Sequence, residues 1–160
     1  MENIVIREIQ NGDKEWMSKI MTAAWGSEIV VASKTFNTLK LPGFIAEIDG
    51  QNGGILTYNV ARNKLEIVSL NSVIEGKGLG SALIEKAKET VKKQNLKSVW
   101  LVTSNDNVDA LKFYQKRGFR ITKVYPGAID KARKRKPNIP LIGDYGIPLK
   151  DALELEFKIL

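Results

Sequence analysis

Hydrophobic positions along the 160-residue chain change their period several times, and each change marks an element. Near the start "NIVIREI" alternates as a strand does. "NGD" ends it, with Asp13 placed to cap a helix running through "KEWMSKIMTAAW". In that helix Trp16, Ile20 and Ala23 or Ala24 recur at helical spacing and form a core face. Residues 26–43 hold no steady period and read either as a short helix or as an irregular loop. Beyond Pro42-Gly43 the runs shorten and turn residues break them. "FIAEI", "ILTYNV" and "KLEIVSL", separated by "DGQNGG" and "ARN", predict a three-stranded antiparallel meander with Asp-Gly and Asn-Gly as turn signals.

The period then becomes helical. "LGSALIEKAKETVKKQ" keeps Leu79, Leu83, Ala87 and Val91 on one face, and Lys92 and Lys93 sit in its last turn, where the helix dipole favours cations. "SVWLVTS" is apolar enough for a buried strand. A capped helix "NDNVDALKFYQKRG", closed by Gly118 in a left-handed cap, and a strand "FRITKVY" follow. Residues 126–151 are rich in proline and glycine and predict a long surface excursion, and "ALELEFKIL" alternates as a final strand. This order predicts one domain over residues 1–160 of α/β (α+β) class. Its central sheet would be mixed and mostly antiparallel, with about six to seven strands and about four flanking helices.

Composition narrows the chemistry chiefly by what is missing. The chain has neither Cys nor His, which removes thiol nucleophiles, Ser-His-Asp and Cys-His relays and zinc sites of the usual Cys/His type, so no metal is expected. Proton transfer would then fall to Tyr, Glu, Asp, Lys or water. A net charge of +7 favours anionic partners, and part of it lies in "KARKRK", residues 131–136. A solvated basic loop accounts for that cluster. A polyanion contact is the sharper alternative, and nucleic acid the weaker one, because no aromatic residues interleave with it. With no apolar run of membrane-spanning length and no signal-peptide pattern, the expected location is the cytoplasm, with no membrane partner. A homodimer is left open.

The stretch "NSVIEGKGLGSALIEK" places Gly76, Gly78 and Gly80 just before a helix. Glycines there allow close backbone approach, and the free amides and helix dipole favour a phosphate. The spacing fails the P-loop, since no Ser or Thr follows a Gly-Lys pair. It also fails the dinucleotide fingerprint, whose third glycine is Ser81 here and whose distal acid is absent. What fits is a polar residue, two variable positions, Gly, one variable position and Gly, met by Glu75, Gly78 and Gly80. Downstream stands "NVDALKFYQKRGF", with Asn107, Ala110, Phe113, Tyr114, Lys116, Gly118 and Phe119.

In that pair of segments, in that order, the chain resembles the GNAT superfamily of N-acetyltransferases over roughly residues 4–125. The resemblance implies an acetyl-CoA cosubstrate whose pyrophosphate lies on the backbone amides of Gly76, Lys77, Gly78, Leu79, Gly80 and Ser81, with Glu75 at the edge of the cofactor-binding stretch. It implies that the pantetheine arm pairs with Val68, Ser69 and Leu70 and touches Asn107. Tyr114 matches the family's general acid, and the amide of Leu70 its oxyanion donor. Glu75 departs from the family's usual Gln or Arg. A carboxylate repels phosphate, so it is expected to point away and pair with Lys77 or another cation, or else to cap the amides and weaken binding. Glu66 is the candidate base, and Glu47 and Asn71 are further polar candidates. Trp25, Tyr58 and the 26–43 segment are expected to border the acceptor site. The reaction expected is direct acetyl transfer to a primary amine of an unidentified small molecule, peptide or protein. The basic surface weighs mildly against strongly cationic acceptors. The alternative is a CoA-binding module without turnover.

Overall fold

The computed structural model describes residues 2–25, 28–31 and 34–159, with side chains described outside residues 23–35. The strands are β1 (Ile4–Glu8), β2 (Glu28–Val31), β3 (Lys34–Asn37), β4 (Gly43–Ile48), β5 (Gln51–Ala61), β6 (Lys64–Ser72), β7 (Ser98–Ser104), β8 (Arg120–Tyr125) and β9 (Ala152–Lys158). The helices are α1 (Lys14–Trp25), α2 (Leu79–Lys93), α3 (Val108–Lys116) and α4 (Ala128–Arg135). Seven strands form one sheet in the order β1-β4-β5-β6-β7-β9-β8, and β2 and β3 form a small separate sheet. The expected α/β class, with a central sheet of six to seven mostly antiparallel strands and about four helices, is thus met. Among the described residues no helix is long and apolar enough to cross a membrane.

The chain divides into two compact units. One comprises Met1–Ile29, Asn37–Val99 and Ile159–Leu160, the other Val30–Phe36 and Trp100–Lys158. In the first, β1, β4, β5 and β6 pair antiparallel, and the meander expected from the alternating runs is present. Its turns are made by Asp49-Gly50 and Arg62-Asn63, all four at positive φ, the backbone that tight two-residue hairpins require. Asn52-Gly53, expected as a turn, lies inside β5 instead. A Cβ on Gly53 would stand 2.6 Å from Leu79 Cδ1, so the glycine is there to let α2 approach the sheet.

The α2 face formed by Leu79, Leu83, Ile84, Ala87 and Val91 is buried, as its periodicity predicts. The opposite face of the sheet meets α1, where Met17 and Met21 pack with Ile45 and Ile55. Asp13 does not cap α1. Its carboxylate accepts from Gln10 N at 2.7 Å and from both terminal nitrogens of Arg7 at 2.8 Å, closing a 3-10 turn ahead of the helix. The segment expected to be a short helix or loop holds β2, β3 and a 3-10 turn over Thr38–Lys40.

In the second unit β8 and β9 pair antiparallel, and Leu101, Tyr114, Phe119, Leu149 and Leu155 are buried. The 126–151 excursion is more ordered than its composition suggests, because it contains α4, with Ala128 and Ala132 buried, and a 3-10 turn over Asp144–Gly146. Arg133 closes the excursion. Its guanidinium donates to the carbonyls of Ile139, Pro140 and Leu149 and to Asp130.

Candidate functional site

The glycine loop takes the backbone that its sequence calls for. Gly76 and Gly78 have φ of 75° and 74°, and Gly78 is the N-cap of α2. A Cβ at either position would meet nothing within 4 Å, so conformation rather than crowding explains both glycines, and the space beside the loop is open. The first helical bond runs from Ala82 N to Gly78 O at 3.1 Å. By helix geometry the preceding amides, those of Leu79 and Gly80 among them, are left for other acceptors, and α2 carries no acid in its first turn. The side chain of Leu79 is buried, so only its backbone faces the loop's open side.

Charges around the loop differ from expectation. Lys77 does not pair with Glu75. Its ammonium lies 2.7 Å from Glu2, which holds the lysine charged beyond its ordinary range. Glu75 is exposed and makes no ion pair among the described residues. It neither caps the helix nor neutralises Lys77.

Strand β6 carries an irregularity that sequence reasoning missed. Thr57 faces Ser69 and Tyr58 faces Ile67, so Val68 is an inserted residue with no register partner. Leu70 lies opposite Leu56. Alternation about this bulge sorts the candidate residues by face. Glu66, opposite Asn59, shares a face with Thr57, Ser69, Asn71 and Ile55, and Ile55 packs against Met17 and Met21 of α1. Tyr58 lies on the other face, stacked on Phe44 at 5.6 Å. Burial and the nearby charge of Glu8 push its phenol above the ordinary tyrosine range. Glu66 is only 2% exposed. Glu47 is already engaged by the Arg7 guanidinium, which also grips Asp13. Trp25 ends α1, and its side chain falls outside the described residues.

In the second unit Asn107 caps α3, its Oδ1 accepting from Ala110 N at 3.3 Å and its Nδ2 donating to Thr103 Oγ1 at 3.1 Å. Tyr114 is buried between Phe113 and Phe119, with ring centroids 5.2 and 5.3 Å away in edge contacts. Gly118 has the left-handed φ of 91° expected at the helix end. Burial pushes the Tyr114 phenol well above its ordinary value, with Arg117 opposing only in part. It therefore stays protonated throughout the physiological range, as a hydrogen-bond donor that parts reluctantly with its proton. Among the described residues its hydroxyl has no hydrogen-bond partner.

The two residues before Asn107 have a role the sequence did not reveal. Asn105 accepts from the amides of Lys150 and Asp151, both at 3.0 Å, and buried Asp106 accepts from Asp144 N at 2.9 Å. Tyr145 donates to Asp109 on α3. The excursion is thus stitched to the start of the helix that bears Tyr114. Asn and Asp in "SNDN" were visible as cap residues, but nothing local showed that two of them reach some 40 positions along the chain.

Residues 13–119 match the acetyltransferase (GNAT) family. The uncharacterized protein YxbD of Bacillus subtilis is 44% identical over 144 residues, covering 89% of this chain and 91% of that protein. An IAA acetyltransferase from Bacillus cereus superposes with a TM-score of 0.77 at 26% identity, covering 98% of this chain and 100% of that one. A Bacillus subtilis acetyltransferase in complex with CoA has a TM-score of 0.69 at 20% identity over the full length of both chains, a likeness of fold. With the family matched over most of its length, this chain belongs to the GNAT acetyltransferases and is an N-acetyltransferase.

Proposed function

We propose that residues 1–160 act as one cytoplasmic acetyltransferase domain that passes the acetyl group of acetyl-CoA directly to a primary amine of a small molecule or peptide. The observation that carries this reading is the glycine loop, where two left-handed glycines with open space beside them lead into a helix without acid in its first turn. The backbone from Gly76 to Ser81, Lys77 included, would hold the pyrophosphate, with Glu75 flanking it through its backbone. Val68, Ser69 and Leu70 would pair with the pantetheine arm, and Asn107 would touch it.

Three demands define the transfer: a neutral amine, a stabilised oxyanion, and a proton or hydrogen bond for the departing thiolate. Tyr114 suits the third as a donor aimed at sulfur. A thiol of ordinary pKa about 8.5 is a better acid than this phenol, so Tyr114 stabilises the developing thiolate by hydrogen bonding rather than by complete proton transfer. The oxyanion falls to the amide of Leu70, two residues beyond the bulge. Glu66 is the base, receiving the amine proton through water. Asn71, on the face of Glu66, borders the acceptor, as does Trp25. Glu47 is occupied by Arg7 and Tyr58 lies on the opposite face, which leaves both with supporting roles in shaping that region.

Incubation with acetyl-CoA and a panel of amines, followed by detection of free thiol, tests the reading. Release with at least one amine is expected. CoA binding without release for any amine would instead identify a binding module without turnover.

A further inference from the structure

Two buried hydroxyls meet on the sheet face that also carries Glu66 and Asn71. Thr57 Oγ1 and Ser69 Oγ are 2.5 Å apart, Thr57 is fully buried and Ser69 only 4% exposed. Along the same face the neighbouring pairs are Ile55–Asn71 and Asn59–Glu66, and Ile55 joins Met17, Met21 and Ile45 in the core. Valine has the shape of threonine and would suit this setting without the desolvation cost of a hydroxyl. The pair therefore calls for an explanation in what its bond holds.

What it holds is a break in register. Thr57 and Ser69 form the matched pair on one side of the bulge, and Tyr58 and Ile67 the matched pair on the other. Shifting a strand by one residue sends every side chain in the shifted stretch to the other face, and a bulge fixes its register only where something pins it. A hydroxyl bridge across the first matched pair pins Ser69 opposite Thr57 and so makes Val68 the inserted residue. Were Ser69 itself to become the inserted residue, Val68 would pair with Thr57 and the Ser69 side chain would leave the face that carries Glu66, while Asn71 and Glu66 kept theirs.

We infer that Thr57 is a positioning residue that acts through Ser69, fixing the β6 bulge and thereby the backbone of Val68, Ser69 and Leu70. What that backbone does for acetyl-CoA rests on the function proposed above, whereas the clasp itself does not.

The test compares Thr57→Val, which keeps shape and loses the bond, with Thr57→Ser, which keeps the bond, and with Ser69→Ala. Amide hydrogen exchange, thermal midpoint, CoA affinity by calorimetry, and kcat and KM for acetyl-CoA are measured on each full-length protein. Thr57→Val and Ser69→Ala should speed exchange at residues 68–70 by about tenfold or more while exchange in α2 and β4 stays unchanged. Thr57→Val should also lower kcat/KM by about tenfold through misplacement, with a fall of several degrees in midpoint because the Ser69 hydroxyl is left buried without its partner. Thr57→Ser should restore both. Wild-type exchange and kcat/KM in Thr57→Val, or equal impairment in Thr57→Ser, would overturn the inference. Failure of the wild-type protein to bind CoA would defeat the functional reading alone, because the exchange comparison needs no ligand.

Discussion

Replacing Tyr114 by Phe separates what this side chain does for folding from what it does for chemistry. The ring makes the packing: it is buried, with Phe113 and Phe119 in edge contact at 5.2 and 5.3 Å, and Phe preserves all of that. The hydroxyl adds no hydrogen bond within the described residues and is not among their enclosed, unpartnered polar atoms, so removing it breaks nothing and relieves no desolvation penalty. The variant should therefore keep the wild-type Tm to within about 2 °C. Turnover should fall. Loss of a donor aimed at a developing charge costs about 10²-fold in kcat, while CoA affinity in the ground state changes little. Because burial keeps the phenol protonated, the pH–rate profiles of the two proteins should have the same shape between about pH 6 and 9. Scanning fluorimetry and a thiol-release assay supply both readings. A fall in Tm of several degrees with unchanged turnover would show that the hydroxyl is structural and remove Tyr114 from the chemistry.

Glu75→Gln removes an exposed acid, unpaired among the described residues, beside the proposed phosphate site. It should leave CoA affinity unchanged or tighten it by at most about fivefold, the effect of a screened charge of about 1 kcal/mol or less, and calorimetry showing a marked loss would mean that the side chain itself contacts the cofactor. Among the described residues Thr38 Oγ1 is buried without a partner, so Thr38→Val should raise stability by up to about 1 kcal/mol in urea titrations, and a loss of that size would reveal a bond to that hydroxyl. The Arg7 guanidinium holds the Asp13 carboxylate below its ordinary range, so the stability it contributes is present above the unfolded pKa of about 3.9 and is lost as pH falls through the lower folded value. Asp13→Asn should therefore cost about 2 kcal/mol at neutral pH, and the gap from wild type should close in acid; a gap that stays constant down to pH 2 would contradict the assignment.

The parts of the molecule governed by local rules were legible. α2 is read from apolar spacing, α3 from its cap and Gly118, and the glycine loop from residues that must adopt positive φ. What escaped was set by distant partners. Gly53 looks like a turn residue, yet its reason is Leu79, 26 positions ahead. Asp13 looks like a helix cap, but the charge on Arg7 outcompetes the helix amides for its carboxylate. The β6 bulge has no local signature at all, because "KLEIVSL" alternates well enough to conceal an inserted residue. α4 buries little besides two alanines, too small an apolar stripe to stand out from a run of cations. The candidate site is correspondingly half legible: its loop and Tyr114 follow from motif and spacing, whereas the face on which Glu66, Asn71 and Tyr58 lie needed the register.

Arg133 carries a consequence for how this protein can vary. One planar group reaches the carbonyls of Ile139, Pro140 and Leu149 at once, so it acts as a gauge of chain length between them. Side chains in that interval, such as the exposed Leu141 and Ile142, can be exchanged freely, but inserting or deleting a residue would pull at least one carbonyl out of reach. A lysine in its place, with a single nitrogen, could not span the three. Diversity in this part of the surface is therefore expected to arise by substitution at constant length, with the loop's outline inherited unchanged.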